Sequence, residues 1–189
     1  MPDVDRLDLP HRLAAEELSG FPAEQRRVAI RMAAALAVTA VAVAIGLLHP
    51  GPSLPPAERA MLAIRTDLFV VIWLAVAIGN VARLRFLSPA DIAGSAAGPS
   101  SPRIAPASAF LQNTLEQVAL AVPVHVALAI AMPRPATLLA ILAALLAVGR
   151  LCFALGYAKG AAARAFGFAL TFYPTLAALA LAIGWTLIG

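Results

Sequence analysis

Charged residues are scarce in this sequence. They make up 13% of the 189 residues, whereas a water-soluble domain carries about a quarter. Aromatic residues are also few, at 6%, and the apolar 61% is dominated by Ala, Leu, Val and Ile. This composition argues against a soluble domain and is typical of closely packed helices in a lipid bilayer.

Cysteine is nearly absent as well. Cys152 stands alone, so no intramolecular disulfide can form, and no His or Asp accompanies it at the spacing of a nucleophilic site. Metal-ligand spacings and glycine-rich phosphate loops are missing from the sequence, so we expect no bound metal. The net charge is +4, but the basic residues stand in short loops beside apolar runs. This placement indicates membrane topology and argues against a nucleic-acid partner.

Five apolar runs are long enough to cross the hydrocarbon core of a bilayer, which takes about 20 residues of helix. The period-two alternation of a membrane barrel is absent, so the sequence predicts an all-α integral membrane protein. The first run, 28–48, follows a polar cytoplasmic tail at 1–27 that is too charged for a signal peptide. The other four form a unit at 66–189, with helices at about 66–83, 105–132, 136–158 and 165–188.

Arg and Lys residues near the ends of the runs predict the orientation of the protein. Most of them lie in the N-terminal tail and in the connections that follow the second and fourth runs. The positive-inside rule places these segments in the cytoplasm and the C-terminus outside, which agrees with an odd number of spans. We therefore expect a multi-pass protein of the cell inner membrane.

Two ionisable residues lie deep within apolar runs. Glu116 lies about two turns into the third run, and Arg150 lies in the last third of the fourth. An ionised group at such depth costs about 2.5–3.5 kcal/mol on insertion scales, so it usually faces the bundle interior and finds a partner. Asn113 shares a helix face with Glu116, and Tyr157 shares one with Arg150. We expect Glu116 to meet Arg150, either as a pair that fixes helix register or within a functional site.

Two further polar side chains receive structural interpretations. His125 stands beside Pro123 without a cluster of metal-binding residues around it, which favours a core or kink residue over a ligand. Asp67, together with Arg65, is expected at the outer membrane interface.

Three segments appear in an order that resembles a known family. "NTLE", 113–116, stands early in one predicted helix, and "RLCFALGYAKGAAAR", 150–164, covers the end of the next helix and its loop. "VARLRFLSPADIAG", 81–94, fits the exit of an earlier helix. Together they resemble the MAPEG family, the membrane-associated proteins in eicosanoid and glutathione metabolism, from about residue 66 to the C-terminus.

The resemblance implies a four-helix unit that forms a homotrimer, here with one additional N-terminal transmembrane helix. It implies glutathione as co-substrate, bound between adjacent subunits near the cytosolic face, and transferase or peroxidase chemistry on a small hydrophobic electrophile from the lipid bilayer. Arginines suit the two carboxylates of glutathione, and a glutamate suits its ammonium group. The implied glutathione-binding residues are Arg83, Asn113, Glu116, Arg150 and Tyr157, and the implied catalytic residue, which activates the thiol, is Arg164.

Two departures from the family pattern keep alternatives open. Ala109 replaces a frequent arginine, and Phe153 replaces a tyrosine or histidine. They favour, as the alternative, a non-catalytic membrane scaffold that retains the fold and uses Glu116 and Arg150 as a structural pair. A transporter or channel with Glu116 as a proton or cation site is a weaker alternative, because the sequence shows no pair of broken helices with inverted symmetry.

Overall fold

Five long helices make up the protein. The computed structural model describes residues 4–94 and 101–188, with side chains from Phe21 onward. The helices are α1 (Val4–Leu48), α2 (Pro56–Phe86), α3 (Ala105–Ala131), α4 (Ala136–Gly156) and α5 (Ala161–Ile188), with a 3-10 turn at Tyr157–Lys159. Each helix is long and apolar enough to cross a membrane, α1 through its part from Phe21 to Leu48. The prediction of an all-α membrane protein is confirmed, since the described ranges contain no strand.

Three helices begin earlier than the apolar runs that revealed them. α1 includes most of the predicted polar tail, α2 starts at Pro56, and α5 starts at Ala161. Hydropathy marks where a helix enters lipid, whereas Ala, Leu, Glu and Arg favour helix on either side of that boundary. Pro56 also suits a helix start, because proline has no backbone N–H to leave unpaired. The predicted boundaries at 1 and 189, and 95–100 of the α2–α3 connection, lie outside the described residues.

The helix α5 makes the most extensive contacts with the other helices. It packs against α4, α1 and α3, while α2 packs against α3 and α4. One apolar cluster joins α3, α4 and α5 through Leu128, Leu142 and Ala178, all buried. Large apolar side chains on the outer face of α2, such as Phe69 and Ile72, are exposed, as lipid-facing residues are.

The contact between α4 and α5 depends on glycines. A Cβ atom added to Gly167 would collide with the backbone nitrogen of Phe153, and one added to Gly156 would collide with the carbonyl oxygen of Ala163. A Cβ on Gly149 would come within 2.6 Å of the Thr171 side chain. Small residues at such crossings let membrane helices approach closely. Here they bring the polar end of α4 against the first turns of α5.

Candidate functional site

Arg150 is the centre of a polar cluster inside the bundle. Its side chain is fully buried, at 0% exposure, and its two terminal nitrogens reach two other helices. Nη1 donates to Oδ1 of Asn113 on α3 at 2.8 Å, and Nη2 donates to the hydroxyl of Thr171 on α5 at 3.1 Å. The guanidinium also lies over the ring of Phe153, 4.5 Å from its centroid. One buried cation therefore joins α3, α4 and α5.

The expected contact between Glu116 and Arg150 is not formed. Glu116 is exposed, and its Oε1 accepts a hydrogen bond from Gln112 Nε2 at 3.0 Å, one turn earlier on α3. Asn113 takes the partner role instead. Residues three apart on an α-helix differ by about 60° around the helix axis. This difference is enough for Asn113 to reach Arg150 while Glu116 faces outward.

Tyr157 belongs to an aromatic cluster at the end of α4. Its ring meets Phe110 and Phe153 edge to face, with centroids 5.9 Å and 5.4 Å away. The guanidinium carbon of Arg164 lies 5.4 Å from the centre of the same ring. Edge-to-face contacts of this kind hold a ring in one orientation. Tyr157 is therefore fixed between the bundle and Arg164.

The turn before α5 determines where Arg164 lies. Gly160 has φ of +96°, a left-handed conformation that favours glycine, and α5 begins at the next residue. Arg164 therefore lies in the first turn of α5 rather than in the loop that the sequence suggested. Its side chain is exposed, and no described carboxylate forms an ion pair with it.

Three of the six predicted site residues line one open groove of about 410 Å³. They are Asn113, Tyr157 and Arg164. The groove lies between α1, α3, the end of α4 and the start of α5. The other lining residues are mostly apolar: Val28, Met32, Ala109, Phe153, Ala161, Ala165 and Phe168. We call this space the Arg164 groove.

Arg83 lies near a second groove, on the other side of Tyr157. This groove, of about 380 Å³, is lined by Tyr157, Asn80 and Arg103, among others. Arg83 Nη2 donates to Asn80 Oδ1 at 3.3 Å and is exposed. Of the six predicted residues, Glu116, Arg83 and Arg150 therefore do not line the Arg164 groove, and Arg150 lies buried behind it.

A third open groove, larger than the Arg164 groove, lies elsewhere and has little polar character. It holds about 520 Å³ between α2 and α4 and is lined by alanines of α4 together with Arg65, Thr66 and Phe69. None of the predicted site residues borders it. Its alanine surface offers contact for lipid chains or another helix.

A buried pair of ionisable residues joins α2 and α3 and was missed at the sequence level. Asp67 is 2% exposed and His125 is 1% exposed, and His125 Nδ1 lies 2.6 Å from Asp67 Oδ1. Asp67 thus faces the interior of the bundle, where its carboxylate has a polar partner, and its position at the outer membrane interface stays a prediction. The available signal was the presence of both residues on apolar helices, where ionisable groups pair with one another.

The connection after α2 is held by a buried aspartate. Asp91 Oδ2 accepts hydrogen bonds from the hydroxyls of Ser88 at 2.5 Å and Ser101 at 2.7 Å. Asp91 Oδ1 accepts from the Ser101 backbone N–H at 2.9 Å. These hydrogen bonds, that of Ser88 first, hold the pKa of the Asp91 carboxyl below its ordinary value of 3.8. The loop that leads into α3 is therefore fixed at its two ends.

Five apolar helices with a polar cluster at one end define a multi-pass membrane protein. The family model for the MAPEG family matches residues 61–184, well over half of the sequence, so the chain belongs to the MAPEG family. The match begins within α2 and ends within α5, and α1 lies outside it. No curated protein and no solved structure matches the chain.

Proposed function

We propose that the Arg164 groove binds glutathione and activates its thiol for transfer to, or reduction of, a lipophilic electrophile. The observation that carries this proposal is that Asn113, Tyr157 and Arg164 line one groove. They come from three separate parts of the chain, in the first third of α3, directly after the end of α4 and in the first turn of α5. Membership of the MAPEG family supports glutathione as the thiol.

Arg164 is the residue proposed to activate the thiol. A free thiol has a pKa of about 8.5, and the thiolate is the nucleophile. A guanidinium beside the sulfur stabilises the thiolate, by about 1.4 kcal/mol for each unit by which the thiol pKa falls. Arg164 suits this role because its exposed side chain lines the groove beside the Tyr157 ring.

The remaining residues divide into binding and positioning groups. Tyr157 supplies a hydroxyl, and Asn113 supplies an amide N–H, since its carbonyl oxygen is held by Arg150. We propose that Arg150 acts through Asn113 and does not touch glutathione, because its guanidinium is fully buried. Arg150 thereby differs from the binding role that the family resemblance implies.

Glu116 and Arg83 take part in the proposed site if each contacts a neighbouring subunit. Both are exposed and lie outside the Arg164 groove of their own chain. We propose that the protein is a homotrimer in which they contribute to a site at the subunit boundary, where Glu116 accepts the ammonium of glutathione and Arg83 binds a carboxylate. The arginine and lysine distribution supports a cytosolic position for this site in the cell inner membrane.

The proposal is tested by the ultraviolet absorbance of the thiolate when glutathione is added to the purified trimer in detergent. The wild-type protein should show a thiolate signal that saturates at millimolar glutathione, and Arg164→Ala should lose it. Arg134→Ala is the matched control, because Arg134 is an exposed arginine in the turn between α3 and α4. An absent wild-type signal, or an unchanged signal in Arg164→Ala, would refute the proposal.

A non-catalytic scaffold is the second candidate. It is favoured by Phe153, whose buried ring stacks on Phe110 at 5.7 Å and provides no hydroxyl to the groove. In this version the polar cluster has a structural role, carried by Arg150 with Asn113 and Thr171 in place of the expected Glu116 pair. The scaffold predicts that Arg164→Ala leaves every property unchanged and that wild-type protein conjugates no electrophile.

A further inference from the structure

The additional helix α1 has one face that contacts the rest of the protein. Its less exposed positions follow one another at helical spacing: Glu24, Val28, Met32, Ala35, Thr39, Ala42, Val43 and Gly46. The other positions of this part of α1 are mostly exposed, as expected for lipid contact. The contact face packs against α5 and α4.

The middle of this face is fixed tightly against α5. Ala35 is fully buried and forms an apolar cluster with Ala169 and Leu170, against which Met32 packs. Thr39 is buried, and its hydroxyl donates to the Ala35 carbonyl of its own helix, so it needs no partner on α5. Farther along, a Cβ on Gly46 would meet the Leu138 side chain at 2.9 Å. The position of α1 is therefore set by shape along most of its length.

The cytosolic end of the same face reaches the first turn of α5. Glu24 Oε1 accepts a hydrogen bond from the backbone N–H of Ala162 at 3.1 Å, two residues before Arg164. A carboxylate is favoured at this place because the first N–H groups of a helix have no partner within it and carry the positive end of its dipole. Glu24 therefore ties α1 to the turn that carries Arg164.

Between Glu24 and Ala35, α1 forms one wall of the Arg164 groove. Val28 and Met32, one helical turn apart, line the groove together with Phe168 of α5 and the residues of the polar end. Both wall residues are apolar, and the methionine is flexible. The groove thus has a polar part, near Arg164 and Asn113, and an apolar part bounded by α1.

We propose that Val28 and Met32 of α1 determine the size of the electrophile that reacts at Arg164. This inference rests on the proposed function, and it assigns to α1 the apolar part of the site. The acceptor is a lipophilic electrophile whose chain lies between α1 and Phe168 while its reactive carbon faces the thiolate. Removal of the methionine side chain admits longer acceptors, and a larger side chain in place of Val28 excludes them.

Conjugate addition to α,β-unsaturated aldehydes of increasing chain length provides the test. The thiolate forms a bond to the β-carbon, the electron pair moves to the carbonyl oxygen, and the α-carbon takes up a proton in place of the one the thiol released. Met32→Ala should raise kcat/KM for the longest aldehydes by roughly tenfold relative to the shortest, as expected for pocket changes of this size.

Control variants separate groove shape from general effects. Met61→Ala removes an exposed methionine of α2 outside the groove and should leave the chain-length profile as in wild type. Met32→Leu keeps the volume and should do the same, and Val28→Phe should shift the preference to short aldehydes. If Met32→Ala fails to fold, Val28→Phe still tests the wall.

The outcomes distinguish this inference from the proposed function. A wild-type thiolate signal with a chain-length profile that moves in neither Met32→Ala nor Val28→Phe would overturn the role of α1 and leave glutathione activation standing. A missing thiolate signal in the wild-type protein would overturn the proposed function, and the inference with it. A chain-length profile that shifts towards longer aldehydes in Met32→Ala and towards shorter ones in Val28→Phe supports both the role of α1 and the proposed function.

Discussion

Arg150 Nη1 lies 2.8 Å from Asn113 Oδ1, and this hydrogen bond joins α4 to α3 inside the apolar bundle. The second terminal nitrogen reaches Thr171 on α5. Because Arg150 binds the carbonyl oxygen of Asn113, the orientation of this amide is fixed and its N–H groups do not bind Arg150. Asn113 lines the same groove as Arg164. A buried arginine in this family member therefore fixes an asparagine that lines a groove, although the arginine does not itself line that groove.

The bond to Thr171 should contribute measurably to stability. Thr171→Val keeps the shape and removes the acceptor of Arg150 Nη2, so we expect a loss of about 1 kcal/mol in unfolding free energy, within the range of hydrogen bonds between membrane helices. Thr175→Val is the matched control, because the Thr175 hydroxyl donates to a carbonyl of its own helix. Unfolding in detergent by a denaturing surfactant measures both; equal losses would contradict the role of Arg150 as a link.

The Asp67–His125 pair should behave as a coupled unit. His125→Leu leaves a buried carboxyl without its partner, and we expect a loss of about 3–5 kcal/mol in unfolding free energy. Asp67→Leu should cost a similar amount, whereas the double variant should cost clearly less than the sum, because no buried polar group then lacks a partner. The double-mutant cycle is measured in the same surfactant titration. Additive losses would show that the two side chains do not stabilise one another.

The glycine contacts between α4 and α5 should be intolerant of a methyl group. Gly167→Ala brings a Cβ against the backbone of Phe153 and should destabilise the protein by about 1–3 kcal/mol. It should also weaken the thiolate signal, because it separates Arg150 from Thr171. Gly184→Ala on the same helix is the control: a Cβ there meets no atom within 4 Å, and alanine favours helix. A Gly167→Ala protein with wild-type melting temperature and signal would contradict the close approach.

The loop after α2 should open in acid. The pKa of Asp91 is lower in the folded protein than its ordinary value of 3.8, so its contribution to stability is complete above pH 3.8 and disappears as the pH falls through the folded value. Amide hydrogen exchange at Ser101, corrected for the intrinsic effect of pH, should therefore accelerate below pH 3.8.

Two variants test the assignment to Asp91. Asp91→Ala should give fast exchange at Ser101 at every pH, without the acid step, because it removes all three accepted hydrogen bonds. Ser53→Ala, in the connection between α1 and α2, should behave as wild type. An acid step that persists in Asp91→Ala would assign the loop opening to another group.

Hydropathy was sufficient for the number of helices but not for where they begin. The runs of Ala, Leu, Val and Ile predicted five spans, and five helices of that kind are present. The ends were underestimated because segments such as 56–65 contain charged residues and yet continue the helix beyond the apolar run. The shift matters at α5, where it moves Arg164 from a loop into the first helical turn.

The candidate site was predictable in its residue types and less so in its contacts. Spacing predicted the facing polar groups of α3 and α4, but the choice between Asn113 and Glu116 as partner of Arg150 depends on helix rotation. The rotation of α3 is set by its packing contacts, such as that of Leu128 with Leu142 and Ala178, which one sequence does not reveal. For the same reason the wall formed by Val28 and Met32 was missed: both resemble any lipid-facing residue of an apolar helix.

A structure of the protein with glutathione at saturating concentration tests the central claim most directly. The account predicts glutathione in the Arg164 groove, with its sulfur nearest the Arg164 guanidinium and its backbone within hydrogen-bond reach of Asn113 and Tyr157. Density for glutathione at the alanine-lined groove beside Arg65, or a structure with no bound glutathione under these conditions, would contradict it.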